Sequence, residues 1–378
     1  MRSFATTSTP QLILSALVLT GAANASAADE ATGWIGNDHT SAYTLDAGEF
    51  ELSGGLSRVD ETIDFLDLRD DMLAGNSRLI DNSGDLDGVR GEARLGIWRG
   101  LEVFYKRHDF DLTLKTSPTT RANIVDLSNQ LSTTQTSWGA KFVLYESEGA
   151  NNALGGSSFA LDLRRVESES DDFDGYIESF RLNANSNVSF DPPQRFAMDR
   201  LSDEGWQARL LYSNDLGSSS QFSIWAGYGE SDASSGTSTD IDFAPIADQF
   251  LQTFDIEETQ YMAGASINLQ GIPRLPIQIG YEYIKINKRE AVIESSNSSF
   301  IPSFLRGSNI QNSADTNHTA YGTVSWWITP HMYTSLSGKL FKNQFVGIMP
   351  HYNNPLSASF SETLYGYVTL SLGLKFTR

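Results

Sequence analysis

The chain of 378 residues contains no cysteine. Exported eukaryotic domains are ordinarily stapled by disulfides, so this lack in a chain that opens with an export leader points to a bacterial envelope. Long apolar runs are missing as well. Beyond the leader no stretch approaches the roughly 20 residues that a membrane-spanning helix needs, so a membrane-embedded form has to be built from strands. Basic residues are scarce: Lys and Arg number 27 against 47 Asp and Glu, for a net charge of −20. Phosphate neutralisation takes clustered Lys and Arg, and their scarcity excludes a nucleic-acid partner. The five histidines, His39, His108, His318, His331 and His351, are dispersed, and the chain has no HExxH, GxSxG or phosphate-binding loop. His318, beside Asp315 and Asn317, is the one candidate for activating a hydroxyl. The expectation is a protein that is not an enzyme, with no catalytic residue, no cofactor and no metal site.

What is present begins with the leader. Arg2 supplies a weak positive region, Leu12 to Leu19 an apolar core and Ala25-Ser26-Ala27 a small-residue cleavage site, so residues 1–27 read as a signal peptide. Residues 28–45 then form a short periplasmic N-terminal segment, and the structural domain covers 46–378. At the far end, Leu364, Gly366, Val368, Leu370, Leu372, Leu374 and Phe376 alternate with Tyr365, Tyr367, Thr369, Ser371, Gly373 and Lys375. A period of two sends these sets to opposite faces of a strand. The run is about the length that a tilted strand needs to cross a bilayer.

The same pattern recurs along the chain, and about twelve strands can be placed. The first lies near 48–59. Pairs follow at 89–97 and 101–114, 137–145 and 157–166, 205–213 and 221–230, 257–269 and 277–287, and 318–327 and 332–342. Each pair is joined by a compact turn rich in Gly, Pro, Asn or Ser, such as Trp98-Arg99-Gly100 or Thr329-Pro330. The remaining links, 60–88, 115–135, 167–204, 231–256, 288–317 and 343–360, are all long. Strict alternation of short and long links is the sequence image of short periplasmic turns and long extracellular loops. The expectation is an all-β transmembrane antiparallel barrel of about 12 strands, with 14 as the alternative count should a weak hairpin lie within 167–204.

Face assignment gives the barrel an apolar exterior, including Leu95, Tyr105, Trp138, Phe142, Trp206 and Leu210, with aromatics toward strand ends where interfacial girdles belong. The opposite phase carries charges that would be costly in lipid: Glu49, Glu51, Arg90, Glu92, Arg94, Glu102, Lys106, Lys141, Asp162, Arg164, Arg209, Glu282, Lys339 and Lys375. These are the candidate lumen residues, either a charged constriction that selects solutes or a salt-bridged interior that holds the wall. Twelve strands enclose less space than the 16–18 of open porins, so a wide general pore is not expected.

Two further features concern the links. Asp81 to Asp87 superficially resembles a calcium loop but lacks its spacing and terminal Glu. Apolar side chains also recur there: Ile63, Phe65 and Leu66; Ile124, Leu127 and Leu131 at helical spacing; Phe243, Phe250 and Phe254; Phe300 and Phe304. They are expected to pack as short helices over the barrel mouth, and Phe243, Phe250, Phe254, Phe300 and Phe304 are the candidates for a hydrophobic vestibule.

From these residues, and from the tract Thr363-Leu364-Tyr365-Gly366-Tyr367-Val368, the chain resembles the Gram-negative outer-membrane β-barrel class. Its apolar loops resemble those of the fatty-acid and hydrocarbon uptake channels, without a shared motif. The resemblance implies a passive outer-membrane channel for small solutes, with hydrophobic or amphipathic ones as candidates. It also implies outer-membrane lipid as its surroundings and the barrel-assembly machinery as the partner for insertion. The alternative expectations are a structural or surface-interaction barrel with a plugged lumen, and an outer-membrane hydrolase.

Overall fold

A computed structural model describes residues 40–59, 80–116, 122–127, 130–147, 156–183, 186–216, 220–240, 253–272, 274–294, 316–342 and 364–376. Its strands are β1 (Phe50–Val59), β2 (Ile80–Trp98), β3 (Leu101–Thr116), β4 (Ala122–Leu127), β5 (Gln130–Ser147), β6 (Ser157–Ser170) and β7 (Phe173–Asn183). They continue with β8 (Ser186–Asp215), β9 (Ser220–Thr239), β10 (Thr253–Leu269), β11 (Ile277–Glu294), β12 (Thr316–Thr329), β13 (Met332–Lys342) and β14 (Leu364–Phe376). Twelve of these form a closed antiparallel ring in the order β1-β2-β3-β5-β6-β8-β9-β10-β11-β12-β13-β14. Closure runs from Phe50 opposite Phe376 to Arg58 opposite Val368, so the first and last strands satisfy each other's ladders. A ring without a free edge is the condition for strands to cross lipid.

β4 and β7 stand outside the ring. The 30-residue β8 serves two ladders: its first part pairs with β7, from Asn183 opposite Ser186 to Phe173 opposite Met198. Its second part, Leu201–Asn214, joins β6 in the wall. A hairpin does therefore lie within 167–204, but it is an outward projection and leaves the ring at twelve. β4 adds to the free side of β7.

The structure corrects two local expectations. Ile124 and Leu127 lie in β4 and Leu131 in β5, not in a helix. Six residues are too few for a stable isolated helix, whereas the edge of β7 satisfies the β4 backbone directly. Asp81 to Asp87 belongs to β2, which begins at Ile80, so the link after β1 is shorter than expected and this tract is strand.

The distribution of side chains is inside-out. Leu52, Leu56, Val89, Leu95, Tyr105, Trp138, Phe142 and Leu210 are exposed on the exterior, while among the described residues buried polar side chains outnumber buried apolar ones. Lipid makes this the favourable arrangement, because the outer surface meets hydrocarbon. An aromatic row marks the outward boundary: Tyr105 lies opposite Trp138, Trp206 packs on Tyr228 at 5.6 Å, and Tyr228 on Tyr261 at 5.5 Å. Trp98, Trp326 and Phe376 are exposed near the compact turns and mark the other boundary.

Inside, large side chains lie flat on glycines of the neighbouring strand. A Cβ added to Gly373 would sit 2.1 Å from Cζ of the fully buried Tyr333. Gly373→Val should therefore lower the temperature at which the folded barrel loses its heat-modifiable gel shift, consistent with an overpacking cost of about 1–3 kcal/mol. Gly338→Val, where an added Cβ has nothing within 4 Å, is the control and should leave that temperature unchanged. Equal behaviour of the two variants would remove the close-packing account.

Candidate functional site: a braced and occupied lumen

The inward phase of β1, β2, β3 and β13 builds the first half of a charged layer near the compact turns. Arg94 donates from Nε to Glu102 Oε1 at 3.1 Å and from Nη2 to Glu102 Oε2 at 2.9 Å. Its Nη1 reaches Glu51 Oε2 at 3.1 Å, and the Tyr333 hydroxyl donates to Glu51 Oε1 at 2.6 Å. Lys141 Nζ, on β5, lies 3.7 Å from Glu102 Oε1. Glu102 and Lys141 are both fully enclosed. Nearer the rim, Glu49 and Lys375 approach to 3.7 Å.

A second cluster continues around the wall. Asp162 on β6 is held by Arg164 and by Arg209 Nη2 of β8, the latter at 2.8 Å. Arg209 Nη1 lies 3.7 Å from Glu282 Oε2 of β11, which also accepts from Trp225 Nε1 at 3.2 Å. Arg90 Nη2 donates to Glu92 Oε2 at 3.3 Å. Buried charges at these distances have surrendered hydration and depend on their partners, and a buried pair broken on one side leaves an uncompensated charge.

The space left between the two clusters is filled by the chain itself. Gly48, with φ of 84°, turns the backbone where it enters β1. Gly48 N–H donates to Gly96 O at 2.8 Å, and Glu49 N–H to Asp46 O at 2.9 Å. Gly96 has no side chain for a reason: an added Cβ would meet Asp46 O at 2.0 Å. This turn folds residues 40–46 back into the barrel. Leu45 N–H donates to Glu102 Oε2 at 2.9 Å, Lys141 Nζ to Tyr43 O at 3.2 Å, and Ser158 Oγ to Ala42 O at 3.1 Å. Ala42 N–H donates to Ser213 Oγ at 2.8 Å, and Ser41 Oγ to Gln221 Oε1 at 3.3 Å. Thr40 Oγ1 meets Ser266 Oγ and Gln278 Nε2, each at 3.2 Å. The segment thus reaches from β3 to β11, on the far side of the ring. Ala42 is fully buried in a small apolar cluster with Ala160, Leu211, Trp225 and Tyr321.

Outward of this layer lies a cavity of about 270 Å³ with a wall of mixed polar and apolar surface, to which the charged Arg90, Lys106, Arg164, Asp203, Glu282 and Lys339 contribute. Enclosed polar atoms on that wall without a hydrogen-bond partner include His108 Nε2, both amide atoms of Asn317 and Ser137 Oγ.

Twelve of the fourteen lumen candidates lie in the layer or on the cavity wall, and Glu49 and Lys375 pair at the rim. Glu51, Glu92, Arg94, Glu102, Lys141, Asp162 and Arg209 are buried in the layer, and Arg90, Lys106, Arg164, Glu282 and Lys339 line the cavity. The vestibule candidates are not brought together among the described residues. Phe243, Phe250, Phe300 and Phe304 lie outside them, and of Phe254 only the backbone is described, in β10 opposite Ile293. His318 is on the outer face, 2.6 Å from the Tyr281 hydroxyl; Asp315 lies outside the described residues.

Sequence reasoning missed the occupancy of the lumen by 40–46 and placed that segment in the periplasm, beside the barrel. A signal existed on the receiving wall. Ser158, Ser213, Gln221, Ser223, Ser266, Asn268 and Gln278 are the inward residues near the compact turns of β6 to β11, small or uncharged where β1 to β5 carry charge. Such a change leaves both room and hydrogen-bonding groups for another backbone.

Comparison of the sequence with family models and with curated proteins finds no match. The structure is similar to the translocator domain of autotransporter NalP from Neisseria meningitidis, at 7% identity over 90% of each chain with a TM-score of 0.43. It is also similar to a FadL homologue from Pseudomonas aeruginosa, at 8% identity over 88% of this chain and 90% of that one, with a TM-score of 0.41. Neither likeness bears on what this barrel carries. The closed ring, the apolar belt and the alternation of compact turns with long links make the protein a transmembrane barrel of the Gram-negative outer membrane.

Arg94→Ala should destabilise the barrel by about 3–5 kcal/mol, because Glu51 and Glu102 remain buried without their guanidinium. Arg165→Ala, which breaks exposed pairs with Glu167 and Glu204, should cost about 0–1 kcal/mol. Denaturant unfolding followed by tryptophan fluorescence checks both. Equal stability would identify Arg94 as something other than a brace.

Proposed function

We propose that this protein is a gated outer-membrane channel for small polar solutes, in which the outward cavity receives the solute and residues 40–46 close the periplasmic end. The observation that carries this reading is the chemistry of the closure. Apart from the Ala42 cluster and the buried Leu45, the segment is held by single hydrogen bonds to serine, glutamine, lysine and glutamate side chains. The neutral bonds among these contribute about 0.5–1.5 kcal/mol each net, and those to Lys141 and Glu102 about 1.5–3, since water replaces them when the segment leaves. The ion-pair layer, by contrast, belongs to the wall and stays when the segment moves.

The described wall of the cavity carries charged side chains, so it supports a polar solute class over a hydrocarbon-like one. The reading assigns no catalytic step to any residue. A second reading, a sealed barrel with a surface role, is favoured by one observation: β4, β7 and the first part of β8 form a sheet projecting beyond the wall.

Planar-bilayer recording separates the two. The intact protein should show little steady conductance, and a variant whose mature chain starts at Asp46 should show a stable open level. Ala42→Asp, which puts a carboxylate into the buried cluster, should raise the open fraction without shortening the chain. A folded barrel that stays closed in both variants would overturn the gate and leave the sealed reading.

A further inference from the structure

The cavity above the closing segment has an asymmetric wall. Arg90, Lys106 and Lys339 project from β2, β3 and β13, a contiguous arc once β14 and β1 are included. Asp203 and Glu282 stand on β8 and β11, in the other part of the ring. With Arg164, four cations line the cavity against three acids, Asp203, Glu230 and Glu282, in a chain whose net charge is −20. Glu282 is already engaged by Arg209 and Trp225, Arg164 by Asp162, and Arg90 by Glu92.

His108 sits at the centre of the basic arc. Arg90 is its cross-strand neighbour, and Lys106 is two residues away on the same face of β3. The ring of Tyr367 packs on the imidazole at 5.5 Å, and Lys339 lies directly opposite Tyr367. The imidazole is only 5% exposed, yet its Nε2 has no hydrogen-bond partner. Asn317, 1% exposed and on the same cavity wall, has neither amide atom satisfied. Orphaned polar groups inside a protein cost about 1–3 kcal/mol each and call for an explanation. A bound molecule that satisfies both and is attracted by three cations supplies one.

We infer that the arc formed by Arg90, Lys106, His108 and Lys339, with Asn317, is a binding site for a small oxyanion: a carboxylate, sulfate or phosphate. The several oxygens of a carboxylate, sulfate or phosphate can accept from ammonium, guanidinium, imidazole N–H and amide donors, the donor types that this wall carries. Such charge-assisted bonds are the strong class of hydrogen bond. A cavity of about 270 Å³ has room for a compact oxyanion. The inference deepens the channel reading by naming a solute class for its chamber, but binding requires no movement of the closing segment.

The test is titration calorimetry on the full mature protein, folded in detergent, with sodium acetate, sodium sulfate and sodium phosphate as probes at constant ionic strength. At least one probe should bind saturably, and the three arms separate carboxylate from tetrahedral oxyanion. His108→Phe, which keeps the ring packing but removes the nitrogen, and Lys339→Gln should each weaken that binding by about tenfold or more. Arg165→Gln, outside the barrel, should leave it unchanged. Lys106→Gln replaces either site variant if that variant fails the gel-shift test of folding. Absence of saturable binding by all three probes, or binding that the site variants leave within about twofold, overturns the site. Loss of the site with the open conductance of the shortened chain intact would leave the channel standing, and binding without conductance would do the reverse.

Discussion

The periplasmic half of this barrel depends on one carboxylate. Glu102 accepts two hydrogen bonds from Arg94 and one from the Leu45 N–H, and it lies within ion-pair distance of Lys141. It therefore ties β2, β3 and β5 to one another and all three to the segment that fills the lumen. A carboxylate with no exposed surface is tolerable only when its lone pairs are used in this way. Replacing it with an apolar side chain would leave Arg94 and Lys141 as buried cations, so the brace is specified as a set and not as separate pairs.

Lipid imposes the other constraint. With hydrocarbon outside, the apolar side chains that ordinarily make a core are spent on the exterior, and the interior has to be filled with polar groups that satisfy each other. A ring of twelve strands makes this feasible because it is narrow enough for side chains from opposite walls to approach. The two halves of the wall solve the problem differently. β1 to β5 meet the compact turns with charge against charge, whereas β8 to β11 offer serine, asparagine and glutamine there, and Ser213, Gln221 and Gln278 complete their hydrogen bonds with Ala42, Ser41 and Thr40.

Most of the wall was legible in the sequence because the period of two is unambiguous when one face must be apolar over a whole bilayer. The alternation through Arg90, Glu92 and Arg94 could have only one inward phase, and the same holds for Lys141, Asp162 and Arg209. What escaped notice has local causes. Residues 40–46 carry no periodicity, and their placement is set by a turn at Gly48 and by partners more than a hundred positions away, such as Ser158 and Gln278. The apolar spacing of Ile124, Leu127 and Leu131 suits a helix as written, and only the edge of β7 beside Ile124 and Leu127 and the pairing of Leu131 with β3 decide for strand. His108 and Asn317 are ordinary inward residues in sequence; their interest lies in being enclosed without partners, which no pattern of residue types reveals.

The arrangement at Glu102 also bears on how a closure of this kind can release. If Leu45 withdraws, Glu102 keeps both bonds from Arg94 and the proximity of Lys141, so no buried charge is stranded. Lys141 loses the Tyr43 carbonyl but retains the carboxylate it already faces. Ser213 returns to Ser223, 2.7 Å away, and Gln221 to Asn268, 3.2 Å away. These four receiving groups therefore have a second partner on the wall, while Ser158, Ser266 and Gln278 exchange the segment for water. The cost of opening includes the exposure of Ala42 and Leu45, the two buried apolar side chains of the segment, and Ala42 exposes a single methyl group. On the gated reading, that division between a wall braced by charges that stay paired and a closure held by bonds that water can replace is what would let the segment move without loosening the barrel around it.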